Sequence, residues 1–307
     1  MSEMYDVVVV GGGAAGLSAA LVLTRSRRRV AVVRGGPARN APAEHMHGFL
    51  SRDGMAPGDL LAVGAAEVVG YGGELVDDFV TEVERSDGGA EFTVRLAGGR
   101  VLTAHRLLIA TGLRDELPEL PGVRERWGAE VLHCPYCHGY EVRDQPLGLL
   151  GGTDPRVLHL ALLLPQWSDD VILFQHTMEL SDADRAQLAA RGVRIVEGTV
   201  ARLVVDGTLR GVELADGRAV PRAALFVAPA FVPEADLLRA LGCAFDDQGW
   251  VVVDPSGRTS VPGVWAAGNV SNAAAQVIVA AGAGYTAAVA INGDLALAAA
   301  QMPVSTG

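Results

Sequence analysis

The 307-residue sequence contains no lysine; all 25 of its formally basic residues are arginine. Without an ε-amine the chain cannot form a Schiff base or anchor a pyridoxal cofactor through lysine, so that class of covalent catalysis is excluded. Cysteine is nearly as scarce, three in all, too few for the disulfide scaffold of a small secreted protein. Basic charge is also outnumbered: 36 acids leave a net charge of −11, which argues against nucleic acid or an anionic membrane as partner. Half of the residues are apolar, yet no apolar run reads as long enough to span a bilayer. The start, Met1-Ser2-Glu3-Met4-Tyr5-Asp6, carries acids where a signal peptide has its basic region, so a cytoplasmic protein is expected. The length suits two domains.

Two of the three cysteines lie together in His133-Cys134-Pro135-Tyr136-Cys137-His138-Gly139-Tyr140-Glu141. C-x-x-C spacing lets the thiols close on each other, and Pro135 suits the first turn of a helix. A cysteine at a helix N-terminus with an imidazole nearby has a lowered pKa and can attack as thiolate. The motif therefore reads as a redox-active dithiol. Three other readings stand beside it. C-x-x-C-H also attaches c-type haem, which needs an exported protein. A zinc site from His133, Cys134, Cys137 and His138 is conceivable, although structural sites usually draw their second ligand pair from a distant segment. Two buried thiols in a loop is the plainest reading, but a disulfide-capable pair flanked by histidines is more than packing requires.

Near the N-terminus, Asp6-Val7-Val8-Val9-Val10 has the pattern of a buried strand, followed by Gly11-Gly12-Gly13-Ala14-Ala15-Gly16 and an Ala/Leu-rich segment. This is G-x-G-x-x-G in its strand–turn–helix context, where glycines let the backbone approach a pyrophosphate at a helix N-terminus. Gly11, Gly13, Ala14, Ala15 and Gly16 are the cofactor candidates here. Arg25, Arg27, Arg28 and Arg29 follow at the helix end, where they compensate its dipole. The next strand, Val30–Val33, should end in an acid for the adenosine ribose; the residue there is Arg34. Gly35 to Asn40 reads as a loop. His45 and His47 resemble a metal pair, but no third ligand accompanies them, and a loop lining the cofactor is the role assigned.

Residues 74–103 alternate like a small β-meander with turns at Asp87-Gly88-Gly89 and Gly98-Gly99. Leu107 to Gly112 makes a further buried strand ending in a glycine turn, and Leu117 to Gly122 reads as a linker. Past the cysteines, Pro146 to Asp154 opens a second strand–glycine turn. A helix from about Val157 and a strand Val171–Phe174 complete a second βαβ unit. Glu197 to Val220 alternates again, and from Leu225 the character of the first domain returns. Cys243 reads as core.

Together these segments resemble the thioredoxin reductase branch of flavin-dependent pyridine nucleotide–disulfide oxidoreductases, over essentially the whole chain. The resemblance implies an α/β fold of two Rossmann-like, three-layer dinucleotide-binding domains, the second inserted into the first. Residues 1–114 and 223–307 would form the FAD domain and residues 115–222 a degenerate NAD(P)H-like domain carrying the C-x-x-C motif. It implies FAD as cofactor, no metal, and a homodimer. Ala110-Thr111-Gly112 matches the family's A-T-G, and Gly263 to Val270 matches its G-x-x-A-A-G-D-V, with Asn269 in place of the acid after Gly268. Gln276 and Val277 match the helix start facing the flavin. By the same resemblance Arg34, Gly35, Arg39, Asn40, His47 and Val80 line the cofactor. Cys137 would be the flavin-proximal thiol and Cys134 the one exchanging with substrate.

Two departures are informative. The family's C-A-T-C-D has become Cys134-Pro135-Tyr136-Cys137-His138, so an imidazole, better matched to thiol protons near neutral pH, stands where a carboxylate would. The family's G-G-G-D-S/T-A-x-E has become Gly151-Gly152-Thr153-Asp154-Pro155-Arg156-Val157-Leu158, and its H-R-R aligns with Gln175-His176-Thr177. Both are similar to the dithiol oxidases that close disulfides in gliotoxin- and holomycin-type metabolites without NADPH. The expectation is an FAD-dependent oxidase of a small-molecule dithiol, with oxygen as electron acceptor and Cys134, Cys137 and His138 catalytic. The alternative is a thioredoxin reductase-like protein-disulfide reductase using NADPH or another donor such as ferredoxin.

Overall fold

A computed structural model describes residues 3–86 and 91–301. The chain divides into two compact units. One comprises Met1–Ala41, Pro57–Arg114 and Phe231–Gly307, the other Pro42–Ala56 and Asp115–Ala230.

The first unit is built on a seven-stranded sheet. Its strand Glu3–Val10 pairs in parallel with Val30–Val33 on one side and Val101–Ile109 on the other, and the β-branched run Val7–Val10 is buried on both faces. Such central strands are apolar throughout because neither face meets water. Glu74–Val76 extends the parallel sheet beside Val30–Val33 instead of joining the meander expected from the sequence. The antiparallel strands Val80–Arg85 and Phe92–Leu96 continue from the first half of Val101–Ile109, while Val264–Ala266 pairs with its second half. The expected turn at Asp87-Gly88-Gly89 lies outside the described residues. Helices Ala14–Arg25 and Val277–Ala300 cover one face, where Ala15, Ala19, Ala20, Ala280, Ala287 and Ala288 share a core with Trp265. Small residues on both helices allow that close packing.

No membrane-length apolar run is expected from the sequence. The helix Val277–Ala300 nevertheless has the length and apolar composition of a span. One side of it packs on Ala14–Arg25, and its Asp294 pairs with Arg106 at 2.6 Å and Arg258 at 3.1 Å.

In the second unit five parallel strands run in the order Arg194–Val196, Val171–Phe174, Leu147–Leu150, Ala224–Phe226, Val131–Leu132. A three-stranded antiparallel sheet, Val200–Asp206, Thr208–Leu214 and Ala219–Pro221, accompanies it. Ala224–Phe226 is a strand of the five-stranded parallel sheet. The return to the first unit therefore falls at Phe231, later than the expected 222/223 boundary, and residues 42–56 also belong here. The physical reason is strand pairing: Leu225 sits between Gly148 and Val131, a register that composition alone does not reveal.

Candidate active site

The dithiol comes off the carboxyl end of Val131–Leu132, the edge at which open parallel sheets place their sites. Cys134 takes an extended conformation and acts as N-cap of the single turn Pro135–His138, with Pro135 at its first position. The backbone N–H groups of Cys137 and His138 both donate to the Cys134 carbonyl, at 3.1 and 3.2 Å. Cys134 and Cys137 are joined as a disulfide with Cα atoms 5.3 Å apart. The sequence suggested a helix dipole for the thiolate. A four-residue turn supplies little of one, so the imidazole is the main local influence left. Glycine is needed at 139, because a Cβ there would stand 2.5 Å from the Pro135 carbonyl oxygen and 2.9 Å from the Trp167 ring. That ring in turn meets Tyr136 edge-on.

Cys134 is buried and Cys137 half-buried, the reverse of the order the resemblance implies for a substrate-facing Cys134. His138 is the unusual member. Both its ring nitrogens are buried without a hydrogen-bond partner, among the described residues. Burial pushes its pKa down; the Glu141 charge acts against that, and His47 adds to it. A neutral imidazole of this kind is a base awaiting a proton donor. The tetrahedral zinc alternative does not fit: the two sulfurs bond each other and the His133 ring stacks on Trp127.

The dinucleotide loop lies in the first unit. Gly11 has φ of 117°, and a Cβ there would meet the Ala110 carbonyl oxygen at 2.2 Å, which only glycine avoids. Gly13 is the N-cap of Ala14–Arg25 and supplies no side-chain cap, so the first-turn N–H groups around Ala14, Ala15 and Gly16 remain for an anion. Ala110 donates to the Val10 carbonyl, Thr111 Oγ1 to the Glu234 carbonyl at 2.6 Å, and Gly112 accepts from Glu234. Arg34 lies against Gly12 and pairs with Asp77, Nε to Oδ1 2.6 Å. Phe79 covers Gly35, Val80 begins the adjoining strand, and Arg39 stacks over Phe231. Asn40 is half-buried in the same loop.

Gly268 opens a 3-10 turn in which Asn269 Nδ2 donates to the carbonyls of Asn272, Ala273 and Ala275. Those carbonyls fix the amide so that Oδ1 faces the other way as an acceptor. Gln276 is the N-cap of Val277–Ala300, again without a side-chain cap. Two uncapped helix starts, one for a pyrophosphate and one for an electron-rich ring, fit FAD. His47 is the exception. It lies in the second unit, its Nε2 3.4 Å from Glu141 Oε1, three residues beyond His138. Glu141 and Asp77 were missed from sequence, since nothing local marks their partners.

The second glycine loop is differently furnished. Its helix is Arg156–Leu163, and the anion at its start is the chain's own. Asp154 accepts from the Arg156 backbone N–H at 2.8 Å and from the guanidinium at 2.6 Å, while the same guanidinium donates to the Pro229 carbonyl. Burial opposes ionisation of Asp154, but these bonds hold its pKa below the usual range. At the Gln175-His176-Thr177 loop, Arg185 arrives from the helix Asp182–Ala190. It donates to Gln175 and pairs with Glu197 at 3.0 Å, an arginine the sequence window did not contain.

The chain matches the pyridine nucleotide-disulphide oxidoreductase family over residues 5–284. It belongs to that family. Thioredoxin reductase aclD of Aspergillus oryzae is 31% identical over 309 residues, covering 96% of this chain and 98% of that protein. The crystal structure of HlmI is 58% identical with a TM-score of 0.92, covering 96% and 94% of the two chains. An oxidoreductase from Agrobacterium tumefaciens is 39% identical with a TM-score of 0.90, covering 97% and 99%. The fold is thus the mixed α/β, two-domain Rossmann fold of thioredoxin reductases, and the protein is an FAD-dependent thiol/disulfide oxidoreductase.

Proposed function

We propose that this thiol/disulfide oxidoreductase is a dithiol oxidase that closes an intramolecular disulfide in a small molecule and passes the electrons to oxygen. The observation that carries the reading is the Asp154–Arg156 pair at the start of the second nucleotide helix. A dinucleotide pyrophosphate would meet the Arg156 side chain where the family has a small residue and the Thr153 side chain where it has glycine, while the Asp154 carboxylate, which the family shares, is tied here to the Arg156 guanidinium. Loss of one charge-assisted phosphate contact costs about 1.5–3 kcal/mol, so two such losses weaken NADPH at least about a hundredfold. On this reading electrons enter through the substrate dithiol.

The chain's own groups perform the sulfur chemistry. His138 takes the proton of a substrate thiol, whose sulfur bonds to Cys134 as the Cys134–Cys137 bond breaks and its electron pair stays on Cys137. The second substrate thiol then attacks the substrate sulfur of the mixed disulfide and gives its proton to the departing Cys134 sulfur, leaving the cyclic disulfide, Cys134 as thiol and Cys137 as thiolate beside protonated His138. Bound FAD, held by the loops at Gly11 to Gly16, Ala110 to Gly112 and Gly268 to Val277, would accept two electrons and return them to oxygen as hydrogen peroxide. The assignment of Cys134 to substrate and Cys137 to the cofactor rests on the family resemblance, and single-cysteine variants decide it.

A thioredoxin reductase activity is the second reading, favoured by the names of the relatives and by Arg185 standing at the loop where a 2′-phosphate would bind. One peroxide released per disulfide formed, with a small cyclisable dithiol and no NADPH, supports the first reading. Reduction of a protein disulfide by NADPH without peroxide supports the second. We infer a homodimer, supported by the exposed Val279, Tyr285 and Val289 of the long helix. Sedimentation should then give twice the 31.9 kDa chain mass, and a monomer at micromolar concentration would contradict it.

A further inference from the structure

The second unit holds a cluster of ionisable side chains that the steps above do not use. His47 stands between two carboxylates, Nδ1 3.4 Å from Asp53 Oδ2 and Nε2 3.4 Å from Glu141 Oε1. Asp53 is fixed in turn: its Oδ1 accepts the Gly48 backbone N–H at 2.8 Å, and that bond together with His47 holds its pKa below the usual range. The loop carrying them is closed on itself, since Met46 donates to the Met55 carbonyl and Gly54 to the Met46 carbonyl, each at 2.9 Å. His47 is the least exposed of the three, 20% against 40% for Glu141 and 66% for Asp53.

Glu141 follows His138 by three residues, a spacing that brings side chains to one side of a helical turn. The charged groups acting on His138 are Glu141 and His47. Arg143 is turned away, 3.9 Å from the Tyr140 ring. A buried imidazole without hydrogen-bond partners accepts a proton at reasonable cost only if a counter-charge is kept close. Glu141 is that counter-charge, and a half-exposed glutamate needs something to keep it in place.

We propose that His47 is a positioning residue of the dithiol site: braced by Asp53, it holds Glu141 beside His138 so that the carboxylate supports the proton taken from the substrate thiol. The inference deepens the dithiol-oxidase reading and rests on it. It also moves His47 from the cofactor, where the family resemblance put it, to the sulfur chemistry.

The test is an NMR titration of ring-labelled histidine in the FAD-loaded protein, with His138→Gln assigning the signal. His47→Ala and Glu141→Gln should each lower the pH at which His138 titrates, by similar amounts. The double variant should go no lower than Glu141→Gln alone. Direct electrostatics gives the opposite sign, because His47 itself acts to lower the His138 pKa; an unchanged or raised His138 in His47→Ala overturns the proposal. Loss of FAD from His47→Ala would return the residue to the cofactor and overturn it too. In turnover, the acid limb of kcat/KM for the dithiol should move down in both variants. The rate above it should fall about 10-fold, less than the about 100-fold or more expected for loss of a general base. His47→Gln, which can still donate to Glu141, should recover most of the rate. If the unaltered protein forms no peroxide from any dithiol, the oxidase reading falls, while the titration still decides what His47 does.

Discussion

Cys134 and Cys137 share a disulfide but not an environment, and their exposure runs against the roles the family resemblance gives them. Replacing each in turn separates the roles. Cys134→Ser should leave a Cys137 thiolate and a long-wavelength charge-transfer absorbance with bound FAD. Cys137→Ser should lack it and trap substrate on Cys134. The band in the opposite variant would reverse the assignment. Residues whose constraint is local were legible in the sequence: Gly11 must have no Cβ because of the carbonyl one strand away, and Pro135 announces the turn that pairs the cysteines. Residues whose meaning depends on a distant partner were not. Arg34 departs from the expected acid, and its partner Asp77 lies 43 positions on; Arg185 reaches Gln175 from 10 positions away.

At the scale of strands and helices, the second sheet carries a polar arrangement that its stability depends on. Arg222 is almost completely buried, its Nη1 2.7 Å from Asp170 Oδ1 and within 3.3 Å of the carbonyls of Leu147 and Asp170. It thus ties the starts of Leu147–Leu150 and Val171–Phe174. Hydrogen bonds from Arg222, and also from Arg194, hold the Asp170 pKa below its ordinary value, against partial desolvation. Because the folded pKa is the lower one, the contribution is fully present above the unfolded pKa near 4 and is lost as pH falls through the folded value. Asp170→Asn leaves the buried guanidinium without its counter-charge and should cost about 1.5–3 kcal/mol, read as a lower denaturation midpoint at pH 7. The gap between variant and wild type should close in acid; an equal gap at pH 7 and at pH 3 would contradict the pairing. Both βαβ patterns were readable because parallel strands buried on two faces are uniformly apolar. The strand Ala224–Phe226 was missed as a member of the second sheet, since three apolar residues suit either sheet equally.

For the whole molecule, the two nucleotide folds have diverged in what their helix starts offer. At Ala14 the N-cap is a bare glycine and the first turn is left for a phosphate; at Arg156 the family's aspartate is bound by an arginine side chain that stands where the family has a small residue. The fold was legible because the pattern of two glycine turns is spread over the entire chain. The fate of the second site was only half legible, because sequence showed which residues had changed but not that Asp154 and Arg156 satisfy each other. The most direct measurement is the visible spectrum of the FAD-loaded protein, followed without oxygen as NADPH and then a small dithiol are added. Millimolar NADPH should leave the yellow colour intact, the dithiol should bleach it, and air should restore it with one peroxide per disulfide. Rapid bleaching by NADPH alone, with no response to the dithiol, would contradict the account.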